Sequence, residues 1–287
     1  MINTPNSNMV SMADPFGSSY QKNSRTITPT NNVSNVSPLL KIYETLLQEL
    51  SSNTNARHPT EALYNLIGKI NLPPTIPTIE TFLSLSRSYE MEPLYSLATG
   101  LVATKMIKTY YRQGIDTIVI NLDSIKPLDC LCFGLQIKTP HSLTIYIKGR
   151  AGDDFAREAE GGTYVIEKAG HSLGMNSYNS TFFVQDAASS CCFSAHYTKL
   201  YAQHVGQFCG AHSSTARFFI EDADKKWGVY SSKSTFYTPS EQSYNYIRLT
   251  TDGTKKKLLT PREWTRYKTI AARCFARVEK MCMEGLS

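Results

Sequence analysis

The fold class predicted for this 287-residue chain is mainly β with helical flanks. It is a right-handed parallel β-helix of 18-residue coils, preceded by a small helical region and followed by an amphipathic helix. Three observations predict it. Cut from Ala151 in blocks of eighteen, the chain repeats five times without a gap. Upstream of Gly114 apolar residues recur at helical spacing, and after Thr260 they do so again beside a row of basic residues.

Residues 1–37 hold seven Asn, seven Ser and four Thr with few large apolar side chains. Such a segment cannot bury enough surface to offset its ordering entropy, and a disordered tail is expected. Residues 38–114 read as the helical region. Ser37 as N-cap and Pro38 at the first helical position open "SPLLKIYETLLQEL", which sets Leu39, Ile42, Leu46 and Leu50 on one face. "PTEALYNLIGKI" repeats the period with Leu63, Leu66, Ile67 and Ile70, and "NLPPTIPT" breaks it. "IETFLSLSRSYEM" and "EPLYSLATGLVATKMIKTYYRQG" add two more helices, the last stopped at Gly114, so a small bundle is expected.

After Gly114 the period changes, and residues 115–250 read as the β-helix. "IDTIVINL" and "SLTIYIKG" are β-branched and aromatic runs bounded by turn residues; they are expected to form irregular strands ahead of the regular coils, the second one residue out of phase. Counting Ala151 as column one, the fifth column reads Phe155, Leu173, Cys191, Cys209, Trp227. The sixth is small throughout: Ala156, Gly174, Cys192, Gly210, Gly228. The fourteenth is Tyr164, Phe182, Leu200, Phe218, Phe236, and the fifteenth Val165, Phe183, Tyr201, Phe219, Tyr237. One coil cannot bury its own apolar residues; stacking coils about 4.8 Å apart turns equal positions into ladders. The large residues of columns five and fourteen then fill the interior, and the small ones of columns one and six fit corners. A left-handed hexapeptide helix shares a multiple of this period. It wants small aliphatic residues in columns seven and thirteen, where Arg157, Phe193, Lys199 and Arg217 stand.

"AGDDFAREAEGG" followed by "TYVIEK" resembles one repeat of the GXGXG domain, the right-handed β-helix that ends the large chain of glutamate synthase and recurs in one component of formylmethanofuran dehydrogenase. The matching positions are Gly152, Phe155, Ala156, Gly161 and Gly162, then the strand Tyr164 to Ile166. Later coils keep Gly170 and Gly174, then Gly206 and Gly210, but read Asn179-Ser180 and Thr215-Ala216 where the double glycine stood. The resemblance covers roughly residues 115–240. It implies an architectural part, with chemistry carried by other domains or subunits.

Residues 251–287 read as a basic linker and a C-terminal capping helix. Thr260 as N-cap, Pro261 and Glu263 make a capping box. Trp264, Tyr267, Ala271, Cys274, Phe275, Val278 and Cys282 form an apolar stripe, which is expected to cover the solenoid's open end. Between Lys255 and Lys280 lie nine Lys/Arg and two Glu, a net +7 against +6 for the whole chain. Lys255, Lys256, Lys257, Arg266, Arg273 and Arg277 are therefore candidates for nucleic-acid contact, set against the plainer reading of a solvated face.

No apolar run approaches 18 residues, so no membrane span is expected. The N-terminus lacks a basic segment followed by an apolar one, and the seven cysteines are odd in number and scattered, so a cytoplasmic protein with reduced thiols is expected. Cys191 and Cys209 fall in one column of adjacent coils, within disulfide reach. With His196 and His212 they are the metal-ligand candidates. The remaining residues of that column are large and apolar, however, and zinc needs three or four converging ligands. The two thiols are accordingly read as small core residues, and no metal or cofactor is expected. Asp153, Asp154, Glu158 and Glu160 form an acidic edge, read as solvated turn positions over paired acid–base groups. No nucleophile elbow or dinucleotide loop has its strand-to-helix context.

The reading is thus a non-catalytic β-helix scaffold or protein-interaction subunit, with mainly polar columns eight to twelve (Asn176, Ser177, Ser194, Ser213, Ser214, Ser231) for adaptable contacts. The alternatives are an accessory subunit of a redox or one-carbon enzyme, implied by the resemblance, and nucleic-acid binding through the basic C-terminal segment.

Overall fold

Equal columns do lie one over another. In a computed structural model, which describes residues 36–52, 60–72, 77–138, 142–247 and 253–283, Thr163 pairs with Thr181, Thr181 with Lys199 and Lys199 with Arg217, each eighteen residues on, and Arg217 pairs with Thr235. These residues start strands β3 (Thr163–Ala169), β4 (Thr181–Ala187), β5 (Lys199–Val205), β6 (Arg217–Ala223) and β7 (Thr235–Thr238). Two strands precede them, β1 (Thr117–Asn121) and β2 (Thr144–Arg150), and β8 (Lys255–Leu258) follows. All eight form one parallel sheet in chain order, which makes the region a β-solenoid. The phase slip foreseen at "SLTIYIKG" is a register shift between Ile147 and Arg150, where Gly149 adopts φ +87°.

Each strand sends column fourteen inward. Tyr164 stacks on Phe182 at 5.0 Å and Phe218 on Phe236 at 4.7 Å, all fully buried. Such ring pairs contribute about 0.5–1.5 kcal/mol each beyond their area. Column five faces them from the other side of the coil, Phe155, Leu173, Cys191, Cys209 and Trp227 all at 0% exposure.

The return path of each coil is no strand. Columns four, six, eight and eleven hold positive φ in every regular coil, from Asp154, Ala156, Glu158 and Gly161 to Lys226, Gly228, Tyr230 and Lys233. The alternation turns successive N–H groups up and down the stack. Asn176 donates to Phe193 in the next coil and Tyr178 to Ala159 in the previous one, at 2.8 and 2.9 Å. The turn face is thereby hydrogen-bonded as continuously as the strand face. This also corrects the reason for small residues in column six. A Cβ at Gly210 would stand 2.8 Å from the Phe218 ring, at φ +64°, so the position is small because a column-fourteen ring fills it.

An earlier coil escapes the eighteen-residue period. Cys130, Cys132 and Gly134 have positive φ, and Cys130 donates to Asp153 while Ala156 donates to Leu131. Residues 128–137 are thus one more turn face, displaced in sequence because extra residues separate it from β2.

The helices are α1 (Val36–Ser52), α2 (Thr60–Lys69), α3 (Ile79–Ser86, capped by Thr78) and α4 (Tyr95–Arg112). Helix α1 starts one residue before the expected cap; Pro38 sits in its first turn, where a missing N–H costs nothing. The rest of the foreseen tail, residues 1–35, lies outside the described residues. Helix α4 is buried on nearly every side and rests on the first turn face. Gly100 leaves no room for a Cβ beside the Asp129 carbonyl, and Cys132 N–H donates to Thr104 Oγ1 at 2.8 Å. The helices and the solenoid interior form one continuous apolar cluster, so the bundle plugs the first coil instead of standing apart from it.

After β7 come α5 (Glu241–Tyr246) and, beyond β8, α6 (Pro261–Met283). Thr260 N–H donates to Glu263 at 2.9 Å and Glu263 N–H to Thr260 Oγ1 at 3.3 Å, the capping box read from "TPREW". The placement of α6 differs from expectation. Its stripe lies across the outer side of the sheet, where Trp264, Tyr267, Ile270, Ala271, Cys274 and Phe275 cover the column-fifteen file of Val165, Phe183, Tyr201 and Phe219. The file itself decides this: four large apolar residues pointing outward need a cover. The Val278 and Cys282 side chains lie outside the described residues.

Candidate functional site

The turn face, hydrogen-bonded from coil to coil, carries outward aromatic rings. Phe193 and His212 stand 5.0 Å apart, His212 and Tyr230 5.1 Å, forming one file across three coils. Phe208, four residues before His212 in the same coil, is 39% exposed, and Tyr230 57%. Nearer the strands, Tyr178 and Tyr197 meet edge to face at 5.4 Å, 47% and 54% exposed. Sequence reading misses these rings because they occupy columns four, seven, eight, ten and eleven irregularly. The serines expected there divide differently. Asn176, Ser194 and Ser214 reach the surface, whereas Ser177, Ser213 and Ser231 are fully buried. The buried ones point into the coil corner with Ser180, Thr198 and Ser234, and Ser213 Oγ lies 3.3 Å from Ser234 Oγ. They complete an internal hydroxyl ladder and offer no contact to a partner.

The four metal candidates do not converge. Cys191 and Cys209 are free thiols in the interior, while His196 and His212 are exposed on the turn face. Burial pushes the Cys209 thiol well up, as it does Cys192, which holds both as neutral core residues. Among the described residues no three His, Cys, Asp or Glu side chains are grouped as a metal site would need. Three of the four acidic-edge residues make structural contacts, and Glu160 is exposed. Asp153 accepts the His171 N–H at 2.8 Å, and Arg157 sits 3.3 Å from Asp154 and 3.8 Å from Glu158.

The basic candidates divide as well. Lys256 pairs in register with Phe236, so it takes the inward column-fourteen position. There its ammonium lies 4.3 Å over the Tyr244 ring, and a charge ends the apolar ladder. Lys257 is 2.7 Å from Glu263, tying β8 to the start of α6. That ion pair and the Thr260 hydrogen bonds hold the Glu263 carboxyl down at about 2. Lys255 faces outward. Arg262, Arg266, Arg273 and Arg277 are exposed on α6, and none makes an ion pair among the described residues. Lys268, on the opposite flank of α6, is paired with Glu221.

Beneath α6 lies a cleft of about 170 Å³ lined by Tyr201, Gln203, Phe219, Trp264, Tyr267 and Phe275. It is smaller than the ~300 Å³ from which small-molecule sites begin. No helix among the described residues is long and apolar enough to cross a membrane. Compared with family models, curated proteins and solved structures, the chain matches none of them.

Proposed function

We propose that this protein is a non-catalytic β-solenoid scaffold that holds a partner protein on its turn face. The observation that carries the reading is the file Phe193–His212–Tyr230, outward rings on a backbone hydrogen-bonded to both neighbouring coils. Aromatic side chains that lose little freedom on contact are what protein interfaces select. The resemblance to the GXGXG domain also points to an architectural role, and on that analogy the partner would be a cofactor-bearing redox or one-carbon enzyme.

The test compares purifications of the tagged chain and its Phe193→Ser/Tyr230→Ser variant from the native cell, with and without nuclease. A stoichiometric protein that survives nuclease and is lost from the variant supports the reading. Identical captures by both chains would refute it, as would turnover of a small molecule by the isolated chain.

A further inference from the structure

The exposed arginines of α6 have a counterpart across the sheet. Residues of column thirteen begin each strand and point outward, on the same side as the covered column-fifteen file. That column runs Lys199, Arg217, Thr235, Lys255 along successive rungs, and the three basic residues are exposed. Helix α6 lies over column fifteen, so one flank looks toward column thirteen and the other toward column seventeen. The ion pair of Lys268 with Glu221, a column-seventeen residue, identifies the second flank. Ala272 and Phe275, which line the cleft with Gln203 and Glu221, lie on it too. At about 100° per residue, Arg266, Arg273 and Arg277 fall on the opposite flank. They therefore lie on the side of column thirteen, Arg266 near the rungs of its basic residues and Arg277 beyond Lys199, where that column holds Thr163 and Thr181.

The two walls are similar in length but staggered: with Lys268 at β6, Arg277 stands about three rungs further along, level with β3. Lys199 to Lys255 spans three rungs, about 14 Å; Arg266 to Arg277 spans eleven residues of helix, about 16 Å. The carboxylate on this flank, Glu263, is held by Lys257 and the helix start. Six cations thus form a narrow straight strip, and Tyr178 and Tyr197 stand exposed a few residues before Thr181 and Lys199, where β4 and β5 begin. A linear cationic track beside exposed rings is the arrangement that takes an extended phosphodiester chain and stacks its bases. Guanidinium forks match phosphate oxygens better than they match the dispersed carboxylates of an acidic peptide.

We propose that the strip between α6 and column thirteen binds single-stranded nucleic acid, its phosphates along Lys199, Arg217, Lys255, Arg266, Arg273 and Arg277 and its bases on Tyr178 and Tyr197. This site is separate from the turn-face file proposed for a protein partner.

Fluorescence anisotropy of a labelled single-stranded 12-mer, titrated with the full chain from 50 to 200 mM salt, tests it. Six neutralised phosphates give a log–log salt slope of about −4. Lys199→Gln/Arg217→Gln should weaken binding at least about tenfold at 50 mM salt and flatten the slope by about 1.4. Arg273→Gln/Arg277→Gln should do the same. Tyr178→Ser/Tyr197→Ser should weaken binding about fivefold or more with the slope unchanged. The Phe193→Ser/Tyr230→Ser variant should bind the oligonucleotide as the parent does, which separates the fate of this site from that of the turn face. No binding at 50 mM salt overturns the proposal. So does an unchanged slope in the column-thirteen variant, tighter binding of a 12-base-pair duplex, or equal binding of polyglutamate; the last would make the strip a surface for acidic protein.

Discussion

Each coil closes itself with two unlike faces, and the contrast between them explains most of this molecule. The strand face satisfies its backbone with extended residues and writes its register in side chains: apolar inward at column fourteen, apolar outward at column fifteen, repeated from Tyr164 to Tyr237. The turn face satisfies the same number of neighbours with alternating positive φ, and its outer side chains have little in common. Column eight runs Glu158, Asn176, Ser194, His212, Tyr230, all left-handed. A left-handed non-glycine residue costs on the order of 1 kcal/mol or more. The strand face is thus stabilised by side-chain contacts on both of its sides; the turn face has its inward column five, and its outer part is held by hydrogen bonds against its local preference. The second is free to vary its outer side chains, and that is where exposed rings have gathered.

The largest way to break this contrast is to attack the strand-face core. Phe182→Ala empties a fully buried site between Tyr164 and the next coil, and a loss of about 3–5 kcal/mol is expected in urea unfolding. A glycine scan sharpens the comparison by its sign. Thr215, β-branched at φ +55°, should gain about 1 kcal/mol on replacement by Gly, whereas Thr181→Gly at the start of β4 should lose about 1 kcal/mol. Equal signs at the two positions would show that the faces do not differ as described.

Smaller effects are expected at the cover. The Glu263 carboxyl is held below its ordinary range, so its contribution is complete above about pH 4.3 and is lost as pH falls toward about 2. Glu263→Gln should remove that pH dependence and cost about 0.5–1 kcal/mol at neutral pH, read by thermal melts followed at Trp264. The smallest change in stability belongs to Lys256→Leu. It continues the apolar ladder to the last strand, and the expected result is concentration-dependent self-association in light scattering, with the melting temperature nearly unmoved.

The same contrast sets what can be read from the sequence. Phe155, Leu173 and Trp227 share a column because one interior selects one kind of side chain, and the strands, their phase and the helix start at Thr260 are legible for equally local reasons. Apart from its inward column five, the turn face is legible only where glycine happens to serve. Asp154, Phe208 and Lys226 occupy one column and share nothing but φ. The coil at residues 128–137 stays hidden because extra residues shift it off the period. Lys256 is misread because a run of three lysines looks alike in sequence, whereas a strand sends neighbours to opposite sides. The proposed strip combines Lys199 and Arg217 with α6 residues such as Arg273 and Arg277, more than fifty positions away, a pairing set only once α6 is known to lie along the sheet.

That lie of α6 carries one more consequence. Twenty-three helical residues measure about 34 Å, and the seven steps between eight strands come to about 34 Å as well. The helix is a ruler laid against the stack. Adding or deleting a coil would demand about three residues of matching helix, so the number of rungs, which nothing in a repeating unit limits, is counted here by an element that does not repeat.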